Sequence, residues 1–280
     1  MDTERLVVAT DGGDASSAAI EWAIRRSATV PMSIEVTTVS EDWLSLIFGA
    51  QGGFRPVYEK LVQDALERVR SAAPDVPVAS SVRDGVPSHQ LVQASAGADL
   101  MVVGNKKVGG VAGAVYGSLP LRLAAASACP TVVVQADWEP VVGPVVVGVG
   151  DDPDDRAAAE FAAREAERTK SKLVVVHAWE IPPVVTIDVL GPRSVVPALE
   201  KAHSDILSKD VARLRDGHPG LEIEAIVQQG PAAEVVVQAA KGASLLVVGR
   251  HGEGALEGFV LGSVSHGVLL KLPCPVIVVP

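Results

Sequence analysis

The sequence contains one unit written twice, and this repeat constrains the fold more than any other feature. Cys129 in ASACPTVVVQ and Cys274 in KLPCPVIVVP each precede a proline and a strand-forming run, and they lie 145 positions apart (274 − 129). The same offset relates Gly104 to Gly249. Self-similarity at a fixed period indicates repeated structural units. The cysteines are then equivalent, small, buried residues, and the repeat implies neither a disulfide nor a metal cluster.

Near the start of each half the offset is 139, because Trp22 of AIEWAIRR corresponds to Phe161 of AAEFAARE. The difference of six (145 − 139) predicts a longer loop within residues 180–200. At 280 residues the chain exceeds the usual size of one domain. We place the first domain at residues 1–137 and the second at 143–280, around a linker, ADWEPVVGP.

Within each half, five short apolar segments alternate with amphipathic helical patterns. Hydrophobic residues make up 48% of the chain and aromatic residues only 4%, so the apolar content is mainly Val, Ala and Leu. This pattern favours parallel strands covered by helices on both faces. We predict an α/β fold with two tandem five-stranded sheets, each with strand order 3-2-1-4-5.

A glycine-rich segment, VVGRHGEGALEGFVLGSVS, follows the fourth strand of the second half with the spacing Gly-x2-Gly-x9-Gly-Ser. Gly252 allows the loop to fold closely over a ligand, and Gly262 and Ser263 open a helix with free N–H groups. Such a helix start suits phosphate, and the strand order predicts it where ligands bind. Ordinary turns and a helix cap are the alternative explanation.

The charge balance excludes several classes of partner. There are 34 acidic and 24 basic residues, for a net charge of −10, so we expect no nucleic acid and no membrane partner. The start, MDTERLVVATDGG, lacks the pattern of a signal peptide. These features predict a cytoplasmic protein.

The segments VVATDGG, VVGRHGEGALEGFVLGSVS and the Cys-Pro endings resemble those of the universal stress protein family, over nearly the whole chain. The resemblance implies Rossmann-like domains paired through their last strands, here as an intramolecular pseudo-dimer, with a homodimer as a further form. It also implies bound ATP, with Mg²⁺ as a companion of the nucleotide. In this family an Asp after the first strand approaches the ribose, and the residue that ends the second strand meets adenine.

The resemblance assigns a different incomplete nucleotide site to each half. In the second half it assigns a full phosphate loop, the adenine-side residue and an Asp placed one position late: Gly249, Gly252, Gly262, Ser263, Val264, Ser265, Ala178 and Asp151. In the first half it assigns the ribose-side Asp, its neighbours and an altered phosphate loop: Thr10, Asp11, Val39, Gly104, Lys107, Gly117 and Ser118.

The two halves have complementary defects. Gly150 stands where the first half has Asp11, so Gly150→Asp is expected to tighten ATP binding, while Asp154 or Asp155 caps the next helix. Lys107 stands where the second half has Gly252, and Pro120, where it has Ser265, provides no N–H. We therefore predict the better phosphate site in the second half and the better ribose site in the first.

The sequence contains no convincing catalytic constellation. The six histidines have no metal-ligand spacing; His177 is interpreted as a packed strand-end residue and His251 as an exposed loop residue. The favoured function is an ATP-binding stress-response regulatory protein that is not an enzyme. A degenerate interaction scaffold that binds no nucleotide and a slow ATP hydrolase are the alternatives.

Overall fold

The computed structural model describes residues 3–41, 54–106, 118–150, 155–181, 192–250 and 261–280. The chain divides into two compact units, one that reaches to Glu139 and one from Pro140 to Val279. Each unit is described by itself. The predicted pairing of the two halves through their last strands stays a prediction.

The first unit is a five-stranded parallel sheet with strand order β3-β2-β1-β4-β5. Helix α1 packs against α2, and α3 packs against α4. Its elements in chain order are β1 (Glu4–Ala9), α1 (Asp14–Ser27), β2 (Met32–Ser40), α2 (Arg55–Ala72), β3 (Val78–Asp84), α3 (Pro87–Ser95), β4 (Leu100–Asn105), α4 (Ser118–Ala126) and β5 (Thr131–Gln135).

The second unit repeats this arrangement, with strand order β10-β9-β6-β7-β8. Helix α5 packs against α6, and α7 against α8. Its elements are β6 (Val145–Gly148), α5 (Asp155–Thr169), β7 (Leu173–Trp179), α6 (Pro192–Gly217), β8 (Ile223–Gln229), α7 (Ala232–Ala239), β9 (Leu245–Gly249), α8 (Ser263–Lys271) and β10 (Val276–Val279). The predicted α/β class, a tandem of parallel sheets with helices, is confirmed.

Equivalent hydrogen bonds in the two units establish which residues correspond, independently of the sequence motifs. At the end of β1, Thr10 N donates to Thr37 O, and at the end of β6, Val149 N donates to Val176 O, both at 2.9 Å. Each residue of the second pair lies 139 positions after its counterpart in the first pair. This is the offset that the sequence predicts for this part of the repeat. The residues that follow Thr10 and Val149 are therefore structurally equivalent.

The inserted residues of the second half do not form a loop throughout. Helix α6 has 26 residues whereas its counterpart α2 has 18, so the helix begins within the segment predicted as a longer loop. The two cysteines, Cys129 and Cys274, are free and buried, in line with their interpretation as small core residues. None of the described helices combines the length and the apolar character that crossing a bilayer requires.

Candidate functional site

The site that the sequence predicts lies at the carboxyl ends of the central strands in each sheet. Strands β1 and β4 are adjacent and parallel, and so are β6 and β9. The strand order reverses between the members of each pair, so the segments that follow these strands border a crevice at the carboxyl ends of the strands. In the second unit these segments follow Gly148 and Gly249.

The start of helix α8 is a backbone site without a side-chain cap. Gly262 is the N-cap residue, with extended dihedrals (φ −62°, ψ 157°) and no side-chain capping hydrogen bond. Its N–H donates to the carbonyl of Arg250 at 2.9 Å, which ties the helix start to the end of β9. The Ser265 hydroxyl is buried and lies 3.0 Å from both the Arg250 and the Gly262 carbonyl oxygens. Ser265 therefore fastens the helix start through its side chain.

The first backbone N–H groups of helix α8 have no acceptor within the helix. The first intrahelical bond at this end runs from His266 N to Gly262 O, at 2.9 Å. The N–H groups of Ser263, Val264 and Ser265 precede it and have no acceptor within the helix. Because these donors point along the helix axis with the positive end of the dipole, the arrangement suits an anionic group.

In the first unit, Asp11 follows β1 and is held firmly through one oxygen. Its Oδ1 accepts hydrogen bonds from Gly13 N at 2.9 Å and from the Ser16 hydroxyl at 2.8 Å. Partial burial raises the pKa of the Asp11 carboxyl, but the hydrogen bonds from Gly13, Ser16 and its own backbone, together with the positive charge of Lys106, lower it by more, so the net shift is downward. Asp11 is thus an anchored, ionised hydrogen-bond acceptor directly after β1.

The neighbours predicted with Asp11 lie at the ends of the adjacent strands β1 and β2. The Thr10 hydroxyl is buried and lies 3.3 Å from the Ser16 hydroxyl and 3.2 Å from Gly12 N. Val39 is buried near the end of β2. In the second unit, Ala178 occupies the corresponding strand, β7, and is partly buried. None of these three side chains offers a charged group to a ligand.

Gly104, also predicted as a nucleotide-binding residue, has a packing role that the sequence did not reveal. A Cβ atom at Gly104 would lie 2.1 Å from the carbonyl oxygen of Ala15 and 2.6 Å from Ser16 N. No real side chain tolerates backbone atoms at these distances. The glycine therefore allows the first turn of α1 to lie directly on the end of β4.

The second unit replaces the Asp11 arrangement with a different one. Gly150, the structural equivalent of Asp11, donates its N–H to Asp155 Oδ2 at 2.6 Å. Asp155 is the first residue of α5 and is 9% exposed. The sequence predicted that Asp154 or Asp155 caps this helix; Asp155 is its first residue, and its bond to the residue that follows β6 was not predicted. Sequence spacing does not reveal the direction of that side chain.

A cavity of about 690 Å³ lies beside this bond, within the second unit. It extends between the end of β6, the first turns of α5 and the middle of α6. Its walls include Val149, Gly150, Asp155, Ile206 and Leu214. The sequence contained no signal for it, because it depends on how far apart two helices pack.

A pair of histidines lies near the end of β7. His177 is buried; its Nδ1 lies 3.1 Å from the carbonyl oxygen of Val149, and its Nε2 lies 2.8 Å from His203 Nδ1. The His203 ring stacks on Trp179 with a centroid distance of 5.3 Å. His177 is packed at the strand end, as predicted, but its partner on α6 was missed. Within the described part of the chain, no three His, Cys, Asp or Glu residues are grouped as metal ligands.

Several predicted site residues lie outside the described residues. These are Gly252, Asp151, Lys107 and Gly117. Ser118 is described only as the first residue of α4. Thr10 and Asp11 directly follow β1, and Val39 lies near the end of the adjacent strand β2. Gly249 ends β9, and the next residue, Arg250, accepts the Gly262 N–H at the start of α8.

Fold and site together define a tandem protein of two Rossmann-like α/β units. The universal stress protein family matches residues 3–135 and again residues 142–280, so the chain belongs to that family. A universal stress protein of Mycobacterium tuberculosis (strain H37Rv) is 30% identical over 288 residues, which cover 98% of this chain and 96% of that relative.

A solved structure shares the fold over the whole chain. The crystal structure of a universal stress protein from Archaeoglobus fulgidus DSM 4304 covers 100% of this chain and 99% of its own, with a TM-score of 0.74 and 17% sequence identity. A universal stress protein solved in complex with cAMP aligns with 50% of this chain and 97% of its own, at 25% identity and a TM-score of 0.37.

Proposed function

We propose that this universal stress protein is an adenine-nucleotide-binding regulatory protein that binds ATP and has no dedicated catalysis. In this proposal, nucleotide occupancy changes the shape of the protein in the cytoplasm, or the partners it selects. The main site is in the second unit and a weaker one is in the first. The proposal extends the family membership to a ligand, and it rests on the geometry of the crevices.

The observation that carries the proposal is the uncapped start of α8 at the point where the strand order reverses. Three backbone donors, on Ser263, Val264 and Ser265, precede the first intrahelical hydrogen bond. Ser265 fixes the orientation of this turn by bonding to backbone carbonyls. A preorganised turn of donors at a helix N-terminus is suited to phosphate oxygens.

The corresponding helix of the first unit is poorer in donors. Helix α4 begins at Ser118, and its third residue is Pro120, which has no backbone N–H. A hydrogen bond to a charged group contributes about 1.5–3 kcal/mol. The loss of one phosphate donor therefore favours the second unit by that order, before the altered loop residue Lys107 is counted.

Binding without turnover is the form of the proposal that the side chains support. His177 is bonded to a backbone carbonyl and to His203, so both ring nitrogens of His177 and Nδ1 of His203 are engaged within the protein. A Mg²⁺ ion that accompanies ATP would be held mainly by phosphate oxygens and water, as this ion commonly is.

The test combines retained nucleotide with turnover. ATP is mixed with the protein, released nucleotide is assayed after denaturation of the repurified protein, and phosphate is followed over time. We expect retained ATP and no steady phosphate release. Gly252→Val, which obstructs the loop, should abolish the tight binding without unfolding the chain. No retained nucleotide would favour the scaffold alternative, and steady turnover the hydrolase.

A further inference from the structure

The two units place a carboxylate at the same edge from different elements. In the first unit Asp11, which follows β1, is held by the Ser16 hydroxyl of α1 at 2.8 Å. In the second unit Gly150 follows β6, and the carboxylate is Asp155 of α5, with Oδ2 at 2.6 Å from Gly150 N. Asp155 stands at the position of Ser16, 139 residues later. In the first unit the carboxylate follows the strand and its partner lies on the helix. In the second unit the carboxylate lies on the helix and its partner follows the strand.

The equivalence does not depend on the motif alone. Ala19 and Ala23 of α1, and Ala158 and Ala162 of α5, are all completely buried, and both pairs are related by the same offset of 139. The helices therefore present the same face to their sheets. Their first turns, which carry the two different partners, occupy equivalent places.

The Asp155 carboxylate lies close to where the missing side chain would be. A Cβ atom at Gly150 would lie 2.9 Å from Asp155 Oδ2, so Asp155 occupies the space next to the start of that side chain. Gly150 and Asp155 both line the cavity of about 690 Å³ between α5 and α6. A small molecule at this edge therefore meets the carboxylate, although little of Asp155 faces bulk water.

We propose that Asp155 recognises the vicinal hydroxyl groups of the ligand in the second unit, in place of an Asp at position 150. The proposal rests on the proposed function, because it assigns the sugar part of the nucleotide whose phosphates bind at α8. An ionised carboxylate is an acceptor only, and an O–H group that donates to it forms one of the stronger hydrogen bonds in proteins. The second site is then complete rather than defective.

The test is the discrimination between ATP and 2′,3′-dideoxy-ATP, which lacks both hydroxyl groups. Binding to the second unit is measured calorimetrically as the part that Gly252→Val removes. In the unaltered protein we expect ATP to bind about ten- to a hundredfold more tightly than the dideoxy analogue. Asp155→Asn should remove most of this preference by weakening ATP binding, while binding of the analogue changes little.

A matched control is available on the same cavity wall. Asp210→Asn removes another carboxylate that lines the cavity, but Asp210 is bonded to Arg213 at 3.0 Å. This variant should keep the preference for ATP. Asp155→Asn retains an oxygen that can accept the Gly150 N–H, and its thermal unfolding should confirm an intact fold.

An exchanged pair tests the same idea by rescue. Asp155→Ser combined with Gly150→Asp recreates the residues of the first unit, and it should regain the preference that Asp155→Ser alone loses. If the second unit binds ATP and Asp155→Asn leaves the ratio of the two affinities unchanged, the role of Asp155 is refuted and the proposed function stands. If Gly252→Val removes no ATP binding at all, both are refuted. If Asp155→Asn does not fold, Asp155→Ser takes its place, and an unchanged preference for ATP in that variant refutes the role.

Discussion

At the scale of single residues, Gly150 shows why a motif position cannot be repaired in isolation. Placing an Asp there was expected from the sequence to tighten ATP binding, because the first unit has Asp11 at that place. The structure changes this expectation, because a side chain at Gly150 begins 2.9 Å from Asp155 Oδ2. The carboxylate of an Asp at position 150 would therefore lie close to that of Asp155, and two neighbouring carboxylates cannot both ionise freely.

We therefore predict that Gly150→Asp destabilises the protein by about 1–3 kcal/mol at neutral pH and does not tighten ATP binding. Urea unfolding near neutral pH and in mild acid measures the effect, and the loss should shrink in acid as one carboxyl is protonated. Gly150→Asn, of similar size and uncharged, is the control and should show no such pH dependence. A clear gain in both stability and affinity at neutral pH would contradict this account.

At the scale of elements, the first turn of α1 packs directly on the end of β4 at Gly104. The Cβ of an alanine at position 104 would lie 2.1 Å from the Ala15 carbonyl oxygen, and a backbone atom in a packed helix cannot move away easily. We expect Gly104→Ala to lower the free energy of unfolding by about 1–3 kcal/mol or more. Gly97→Ala, whose nearest neighbours are the Arg5 side-chain atoms at 3.5 Å and beyond, is the control. Equal stability of the two variants in urea would show that α1 moves freely.

Helices α5 and α6 are joined by a histidine that responds to pH. His218, just after α6, lies 3.1 Å from Glu160 Oε1 and 2.9 Å from Glu167 Oε2. Burial lowers the pKa of His218, but the hydrogen bonds to the two carboxylates raise it by more, so the net shift is upward from 6.5. The stability that this histidine adds is therefore fully present below its unfolded pKa, and it is lost as the pH rises through the raised folded value.

We predict that His218→Gln costs more stability near pH 5.5 than near pH 9, where the native histidine is neutral. Denaturant unfolding at the two pH values gives the difference directly. His89→Gln, on an exposed residue of α3, serves as the control and should have a small effect at both. A cost for His218→Gln that is the same at both pH values would mean that the carboxylates do not select the charged form.

The order of strands and helices could be predicted from the sequence, but the side-chain contacts between different elements could not. The repeat and the alternation of apolar segments are periodic signals, so two units of five strands with helices between them could be predicted. The bond of Asp155 to Gly150 and the pair of His177 with His203 join different elements. They depend on the direction of a side chain and on helix packing, for which a single sequence has no periodic signal.

At the scale of the whole molecule, the two units differ in their backbone N–H donors for phosphate. We therefore expect them to bind ATP with different affinities. Any ligand that binds only the folded state stabilises it, by about 2.7 kcal/mol at a hundred times its Kd. If the second unit binds ATP more tightly, an intermediate ATP concentration saturates it first. Its amides should then become protected from hydrogen exchange before those of the first unit do.

We expect ATP to slow exchange within residues 261–271, at the start of α8, at concentrations that leave residues 118–126 of α4 unchanged. Raising ATP further should extend protection to the first unit, and Asp11→Asn should weaken only this second phase, because Asp11 is the anchored acceptor of that crevice. Gly252→Val should remove the first phase and keep the second. Simultaneous protection of both helices at all ATP concentrations would contradict the predicted difference in affinity. It would mean that the missing N–H of Pro120 in α4 does not weaken ATP binding in the first unit.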